Sequence, residues 1–343
     1  MQTITDLVKV LEEAQALDQA GLTRLLTAPE AIPLYHAADR VRKRSVGDEV
    51  HLRGLIEFSN YCQGSCLYCG LRAGNSRIRR YRMTPAEILA RARYAVGQGL
   101  KTVVLQSGED PHYTVEELCD IVRTLKKMDV AVTLSIGERS KDTYAALKEA
   151  GADRFLLRIE TSNEQLYARM HPGMSYQNRV NCLYTLKELG YETGTGSLVG
   201  LPGQTPAMLA ADLVFFKALD ADMIGIGPFI PSPGTPLDHA AGGEVETVLK
   251  MMALARLLMP EINMPATTAL SVKDRDGYRK GLSCGANVIM PNMGLSEYKK
   301  LYAVYPGKGE GFARSDEQMV KIQTVLQKLG RKVGQGYGFR VGR

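Results

Sequence analysis

The chain has 343 residues, 45% of them apolar, and 43 basic against 37 acidic side chains for a formal net charge of +6. That length admits two domains or one large α/β barrel, and the small, scattered charge excludes the concentrated basic face of a nucleic-acid binder. No stretch reaches the length of a membrane span and Met1–Lys9 carries no signal-peptide pattern, so the expected location is the cytoplasm.

From the N-terminus, Thr3–Lys43 reads as several helices punctuated by Pro29, expected as a cap (residues 1–45) on the N-terminal end of a central barrel. The candidate strands are then Leu52–Phe58, Thr102–Gln106, Ala131–Ile136, Arg154–Glu160, Glu192–Val199, Met223–Ile230, Ala266–Val272 and Ala286–Met290. Amphipathic stretches separate them: Pro85–Gly97, Val115–Met128, Lys141–Ala150, Tyr176–Leu189, Ala207–Leu219 and Glu246–Leu258. Thr84-Pro85 with Glu87 is a helix start, and Gly151 and Gly190 stand where helices stop. Eight strands alternating with helices predict an α/β fold, a (β/α)8 TIM-type barrel over residues 46–305. An open dinucleotide-binding sheet would want a G-x-G-x-x-G turn after the first strand, which is missing. Glu317–Leu329 reads as one further helix, and the Gly- and Arg-rich tail behind it as mobile, giving a C-terminal unit of residues 306–343.

Cys62, Cys66 and Cys69 form a C-x3-C-x2-C set directly after the first strand. Soft thiolates suit iron, and three of them can each hold one iron of a cubane iron–sulfur cluster. A fourth cysteine is missing from the loop, which leaves one iron open to an outside ligand, whereas a structural zinc site closes all four positions. A partial zinc knuckle and three unrelated buried thiols are the alternatives. Cys119, Cys182 and Cys284 fall within or beside predicted helices and read as inert buried thiols. The five dispersed histidines show no ligand spacing. In barrels of this kind chemistry sits at the C-terminal strand ends, where the cysteine loop, Ser107-Gly108-Glu109-Asp110-Pro111, Ser135, Arg158, Glu160, Thr267-Thr268 and Met290-Pro291-Asn292 all fall. The basic run Arg77–Arg82 reads first as a solvated loop.

These residues resemble the radical S-adenosylmethionine (SAM) enzymes. Cys62–Cys69 with Tyr68 before the last cysteine is similar to that family's signature, and Ser107-Gly108-Glu109-Asp110 to its glycine–glutamate motif. Ile56–Asn60, Val104–Pro111, Gly225–Pro231 and Cys284–Asn292 resemble the HydE-type maturases of FeFe-hydrogenases. The resemblance implies a 4Fe–4S cluster on the three cysteines and SAM bound at the open iron. SAM cleavage would give a 5′-deoxyadenosyl radical that acts on an iron–cysteine precursor carrying CO and cyanide. It implies as partners other hydrogenase maturases and an electron donor such as flavodoxin or ferredoxin. Tyr68, Ser107, Gly108, Glu109, Ser135, Glu160 and Arg179 would contact SAM, Arg179 through a forked pair with its carboxylate. Gln106, Thr133, Arg158, Thr267, Thr268, Met290 and Tyr302 would line the substrate side. An ordinary ion pair between neighbouring strands is the plainer account of Arg158 and Glu160, and core packing that of Met290. A second cluster has no cysteines after Tyr305 to hold it. Other readings are a 3-methylornithine synthase-like mutase, a biotin synthase-like sulfur inserter, and a non-catalytic iron–sulfur carrier.

Overall fold

The computed structural model describes residues 3–308 and 315–342, so residues 309–314 of the predicted C-terminal unit lie outside the described part. The chain opens with three helices, α1 (Ile4–Ala14), α2 (Gln19–Thr27) and α3 (Ile32–Val46). Thr3 and Asp18 cap the first two by accepting from backbone N–H groups of the first turn. Strands β1 (Glu49–Leu52) and β2 (Gly54–Ser59) come next, then α4 (Pro85–Gly97), β3 (Thr102–Ser107), α5 (Val115–Lys126), β4 (Ala131–Ser135) and α6 (Lys141–Glu149). Thr84 and Thr114 close capping boxes with Glu87 and Glu117, which is why α4 and α5 start where the sequence signals say. The second half holds β5 (Arg154–Leu156), α7 (Glu164–Met170), α8 (Tyr176–Glu188), β6 (Glu192–Thr195), β7 (Leu198–Val199), α9 (Pro206–Ala218), β8 (Met223–Ile224) and β9 (Gly227–Pro228). Last come α10 (Val245–Leu258), α11 (Thr268–Lys273), α12 (Gly277–Ser283), β10 (Val288–Ile289), α13 (Ser296–Leu301), α14 (Ser315–Lys328) and β11 (Lys332–Val333).

Six parallel strands run in the order β2-β3-β4-β5-β6-β8. Single parallel bridges carry the arrangement on, Met223 to Asn263, Pro265 to Val288, and Asn292 back to Leu55 on β2. This is the strand order of a (β/α)8 barrel, the last two positions being held by bridges instead of full ladders. Seven of the eight expected strands appear, several cut short. The predicted strand Ala266–Val272 is a correction: pairing in the sheet stops at Pro265 and the Ala266 N–H, and Thr268–Lys273 is helix α11. Thr267 decides this by accepting from the Leu270 N–H at 3.3 Å, which makes it an N-cap instead of a strand residue. The expected first strand is two strands, β1 pairing with β10 and β11, and β2 opening the main sheet.

Two further expectations change. The N-terminal helices pack on the outer layer, α3 against α10 and α2 against α9, and do not cap the barrel's end. That end is covered by the C-terminal tail, predicted to be mobile. Buried Arg53 and Arg154 donate to the carbonyls of Gly338 and Tyr337 at 3.0 and 2.8 Å. Arg154 also pairs with Glu192. These cations would otherwise face the barrel floor with unmet donors, so the tail completes the fold. No described helix is long and apolar enough to cross a membrane.

Candidate active site

The cysteine loop leaves the end of β2, and its path is set by side chains reading backbone groups. Arg80 donates to the carbonyls of Asn60, Leu71, Arg72 and Asn75, at 2.5 to 3.3 Å. Arg82 makes a forked pair with Asp110, which also accepts from Ser59 at 2.6 Å. Half of the basic run is thus structural, tying the loop down, and is not a solvated face.

Backbone N–H groups of Gly64 and Glu109 point at Cys62 Sγ, at 3.3 and 3.4 Å. Such donors favour a thiolate over a thiol. Gly108 is needed for this approach, because a Cβ there would stand 2.2 Å from the Tyr61 carbonyl oxygen. Burial raises all three thiol pKa values, that of Cys66 to about 12. Three half-buried thiols of this kind would give up their protons to a cationic centre bound among them. No three His, Cys, Asp or Glu side chains converge on a single ion among the described residues. A cubane does not ask for that, since each thiolate binds its own iron. Cys119, Cys182 and Cys284 are buried elsewhere, in keeping with inert thiols.

Beside the loop lies a cavity of about 210 Å³ at the C-terminal ends of the strands. It brings together Tyr68, Gln106, Ser135, Arg158 and Glu160 with Thr267, Thr268 and Met290 from far along the chain. Thr133, Arg179 and Tyr302 are buried near it without being part of its lining, while Ser107 ends β3 and Gly108 after it lies against Cys62. Arg158 and Glu160 form a close pair at 3.1 Å, while Arg158 Nη2 donates to the Ser197 carbonyl at 2.6 Å. Yet Arg158 Nε, Glu160 Oε2 and Thr133 Oγ1 are buried with no hydrogen-bond partner. The ion pair is near in distance but not aligned as a hydrogen bond. Buried polar atoms left unmet cost roughly 1–3 kcal/mol each, so these mark the place where a polar ligand would complete the site.

Glu160 carries a second sign of the same kind. Its φ is +65°, the left-handed region that a non-glycine side chain adopts at a cost. The neighbouring strand holds it there, with Glu160 N–H donating to Gly196 O at 2.9 Å and Glu160 O accepting from Leu198 N–H at 3.1 Å. Burial raises the Glu160 pKa, opposed by Arg158 and Arg179.

Arg179, on α8, donates through Nε to Glu138 at 2.6 Å, through Nη1 to the Arg158 carbonyl at 2.7 Å and through Nη2 to Glu109 at 3.3 Å. Glu138 was not legible as a partner, although it follows the polar end of β4 by only three residues. His171 was missed as well. It stands behind Tyr68, whose hydroxyl lies 2.8 Å from Nε2. Nδ1 lies 2.9 Å from the Tyr167 carbonyl, which can only accept, so Nδ1 bears the proton and Nε2 accepts from Tyr68.

Burial lowers the His171 pKa from 6.5 to about 4. The unfolded chain therefore takes up a proton before the folded one does as pH falls. The stability tied to neutral His171 is complete above about pH 6.5 and is lost on the way down to about pH 4. Urea unfolding of wild-type and His171→Gln protein should show it: between pH 6.5 and 4.5 the wild type loses more stability, by roughly 2 kcal/mol. Parallel losses in the two proteins would remove His171 from this role.

Comparison with known proteins agrees with the geometry. Residues 56–216 match the Radical SAM superfamily, and residues 225–330 the Biotin and Thiamin Synthesis associated domain. Over 332 residues the chain is 52% identical to the FeFe hydrogenase maturase subunit HydE of Thermotoga maritima, covering 97% of this chain and 93% of that protein. It is 31% identical to 3-methylornithine synthase of Methanosarcina acetivorans, over 94% of this chain and 90% of that one. The crystal structure of methylornithine synthase PylB superposes with a TM-score of 0.81 at 28% identity, covering 96% and 97% of the two chains. The maturase HydG shares the fold, with a TM-score of 0.82 at 20% identity, over 97% of this chain and 77% of that one. With the cysteine loop, the strand-end cavity and this identity in place, the chain belongs to the radical SAM superfamily and, within it, to the HydE maturases of FeFe-hydrogenases.

Proposed function

We propose that this enzyme binds a 4Fe–4S cluster through Cys62, Cys66 and Cys69 and SAM beside it, and acts on an iron–cysteine precursor carrying CO and cyanide. When bound, the cluster supplies the electron that splits SAM into methionine and a 5′-deoxyadenosyl radical. The observation carrying the proposal is the cavity that joins the cysteine loop to Arg158, Thr267, Thr268 and Met290, with three buried polar atoms in or beside it lacking partners.

Each residue has work suited to its place. Tyr68, fixed by His171, presents an aromatic face for the adenine. The Ser107–Glu109 backbone lies against Cys62 and suits the methionine amino group. Glu160 and Ser135 line the cavity as partners for SAM hydroxyl and amino groups. Arg179 reaches the SAM carboxylate by turning Nη2, since its 3.3 Å contact to Glu109 is the longest of its three and the cheapest to exchange. Gln106, Thr133, Arg158, Thr267, Thr268, Met290 and Tyr302 form the substrate side. Aliphatic and aromatic neighbours such as Leu156, Leu198 and Phe229 exclude water from the radical. Other maturases of the same assembly line, a flavodoxin or ferredoxin as electron donor, and a cytoplasmic location complete the proposal.

A second reading has a specific basis. The likeness to methylornithine synthase, in sequence and fold, favours an amino-acid mutase. Such a pocket needs an acid for the distal amine of its substrate. Glu160 is the single carboxylate lining the cavity among the described residues, and Arg158 already faces it. The test is anaerobic incubation of the reconstituted enzyme with SAM and reductant, with either the iron–cysteine precursor or lysine. The precursor should increase deoxyadenosine formation or yield a trapped adduct, and lysine should leave it unchanged. Conversion of lysine to a methylornithine would overturn the maturase reading.

A further inference from the structure

The cavity has a charged wall residue with no place in the roles above. Lys308 follows α13 and brings its side chain onto the substrate side, where it lines the cavity with Thr268 and Leu55. The same three residues also line a side chamber of about 30 Å³, with Glu57 and Asn292 on its far side. They are thus the partition between the two spaces. The lysine ammonium pairs with Glu57 on β2 and sits 4.2 Å above the Tyr302 ring. Its side chain is 11% exposed and that of Glu57 only 3%.

A buried ion pair of this kind is a poor stability device. Desolvation offsets most of the attraction, and an apolar pair of equal volume commonly holds a fold as well or better. The surroundings are built for the lysine to change partners. Glu57 Oε2 already accepts from Asn292 Nδ2 at 2.7 Å, so the carboxylate keeps a donor when the ammonium moves. The Tyr302 face supplies a second seat for the cation, and the four-carbon stem lets Nζ move while the backbone stays. Among the described charges lining the cavity Arg158 faces Glu160, and Lys308 has its partner Glu57 outside that lining, so an anionic ligand would meet the ammonium from the cavity side.

We propose that Lys308 is a specificity-determining residue of the substrate cavity, held in reserve by Glu57 and turning onto an anionic group of the substrate when it enters. This rests on the reading of the cavity as the substrate site. A carboxylate or a metal-bound cyanide would serve, since both offer negative charge and acceptor lone pairs. Burial lowers the Lys308 pKa to about 7, so an arriving anion would also hold the proton in place.

The test is infrared titration of the reconstituted, SAM-loaded enzyme with the iron–cysteine precursor, whose CO and CN bands report bound and free forms. The double variant Glu57→Gln/Lys308→Met removes both charges and leaves none orphaned, so it is the variant expected to fold. Its dissociation constant should rise at least ten-fold. Glu57→Gln alone should bind more tightly than wild type, because it frees the lysine, whereas a merely structural pair would give weaker binding or a lowered melting temperature. Lys308→Arg should keep part of the affinity. A precursor esterified at its cysteine carboxylate separates the two anion sources: loss of the lysine effect assigns the carboxylate, and retention assigns the cyanide. A double variant that binds like wild type overturns the proposal. Crystals soaked in bromide give a precursor-free readout. An anomalous peak beside Lys308 in wild type that is lost in the double variant supports the site even if the precursor fails to bind, in which case only the substrate reading falls. Absence of that peak together with equal precursor binding in both proteins ends the proposal.

Discussion

Reconstituted without oxygen, wild-type protein should bind about four irons per chain, and Cys66→Ala protein should lose stable iron loading together with SAM cleavage. Three ligands leave nothing to spare, so removing any one opens a second iron. The loop itself should survive the change, because Arg80, Asn75 and Asn60 hold it by its own carbonyl and amide groups. Burial pushes the Cys66 thiol up to about 12, so in the absence of iron it is protonated, and alanine removes no buried charge. A normal melting temperature of the iron-free protein with loss of the cluster's visible absorption is the expected pair of results. Full iron loading and activity in Cys66→Ala would refute the three-cysteine assignment, and Cys62→Ala and Cys69→Ala should behave alike.

Arg179→Ala should have the next largest effect, and it should act on stability and SAM binding together. Arg179 is 8% exposed, and its guanidinium stands between Glu109 and Glu138. Deleting it strands two carboxylates in a half-buried setting, at a cost of roughly 3 kcal/mol. Burial already raises the Glu109 pKa against the pull of Arg179, so its loss should raise it further. Loss of the contact proposed from Nη2 to the SAM carboxylate should cost another 1.5–3 kcal/mol or so in affinity, a loss of ten-fold or more. Arg179→Lys separates the two contributions, since an ammonium keeps the charge between the glutamates but cannot also reach SAM as the planar guanidinium does. Its stability should return most of the way while SAM affinity stays low. Glu160→Ala should weaken SAM binding without the stability loss, because alanine keeps a Cβ and leaves the left-handed backbone as it was. If all three variants bind SAM as wild type does, these residues are not its partners, whatever becomes of the cluster.

Much of this molecule is dictated by short-range signals. The spacing of Cys62, Cys66 and Cys69 marks a candidate iron site along the chain itself, because such a ligand set needs only three thiolates in one loop. Thr84-Pro85 with Glu87 and Thr114 with Glu117 start α4 and α5 at the expected residues, since a capping box spans four positions of chain. The alternation of apolar runs with amphipathic stretches states a barrel, and with it the end of the strands where Arg158, Glu160, Thr267 and Met290 meet. The runs themselves did not show how long each strand lasts. Arg154–Glu160 yields only three residues of ladder, Arg154–Leu156, and Glu160 rejoins the neighbouring strand through a single bridge to Ser197.

Other features exist only once the chain has closed on itself. Thr267 reads as a strand residue by composition, and the N–H of Leu270 makes it a cap. Glu57 and Lys308 are 251 residues apart, in a strand with an unremarkable apolar pattern and in a turn with none, and the barrel wall sets them against each other. Gly338 and Tyr337 look like a loose tail until buried Arg53 and Arg154 require their carbonyls. Period, caps and ligand spacing are written along the chain because the forces behind them act over a few residues. Partnership between buried charges is decided by desolvation, which no segment experiences until the remainder of the fold has excluded water from around it.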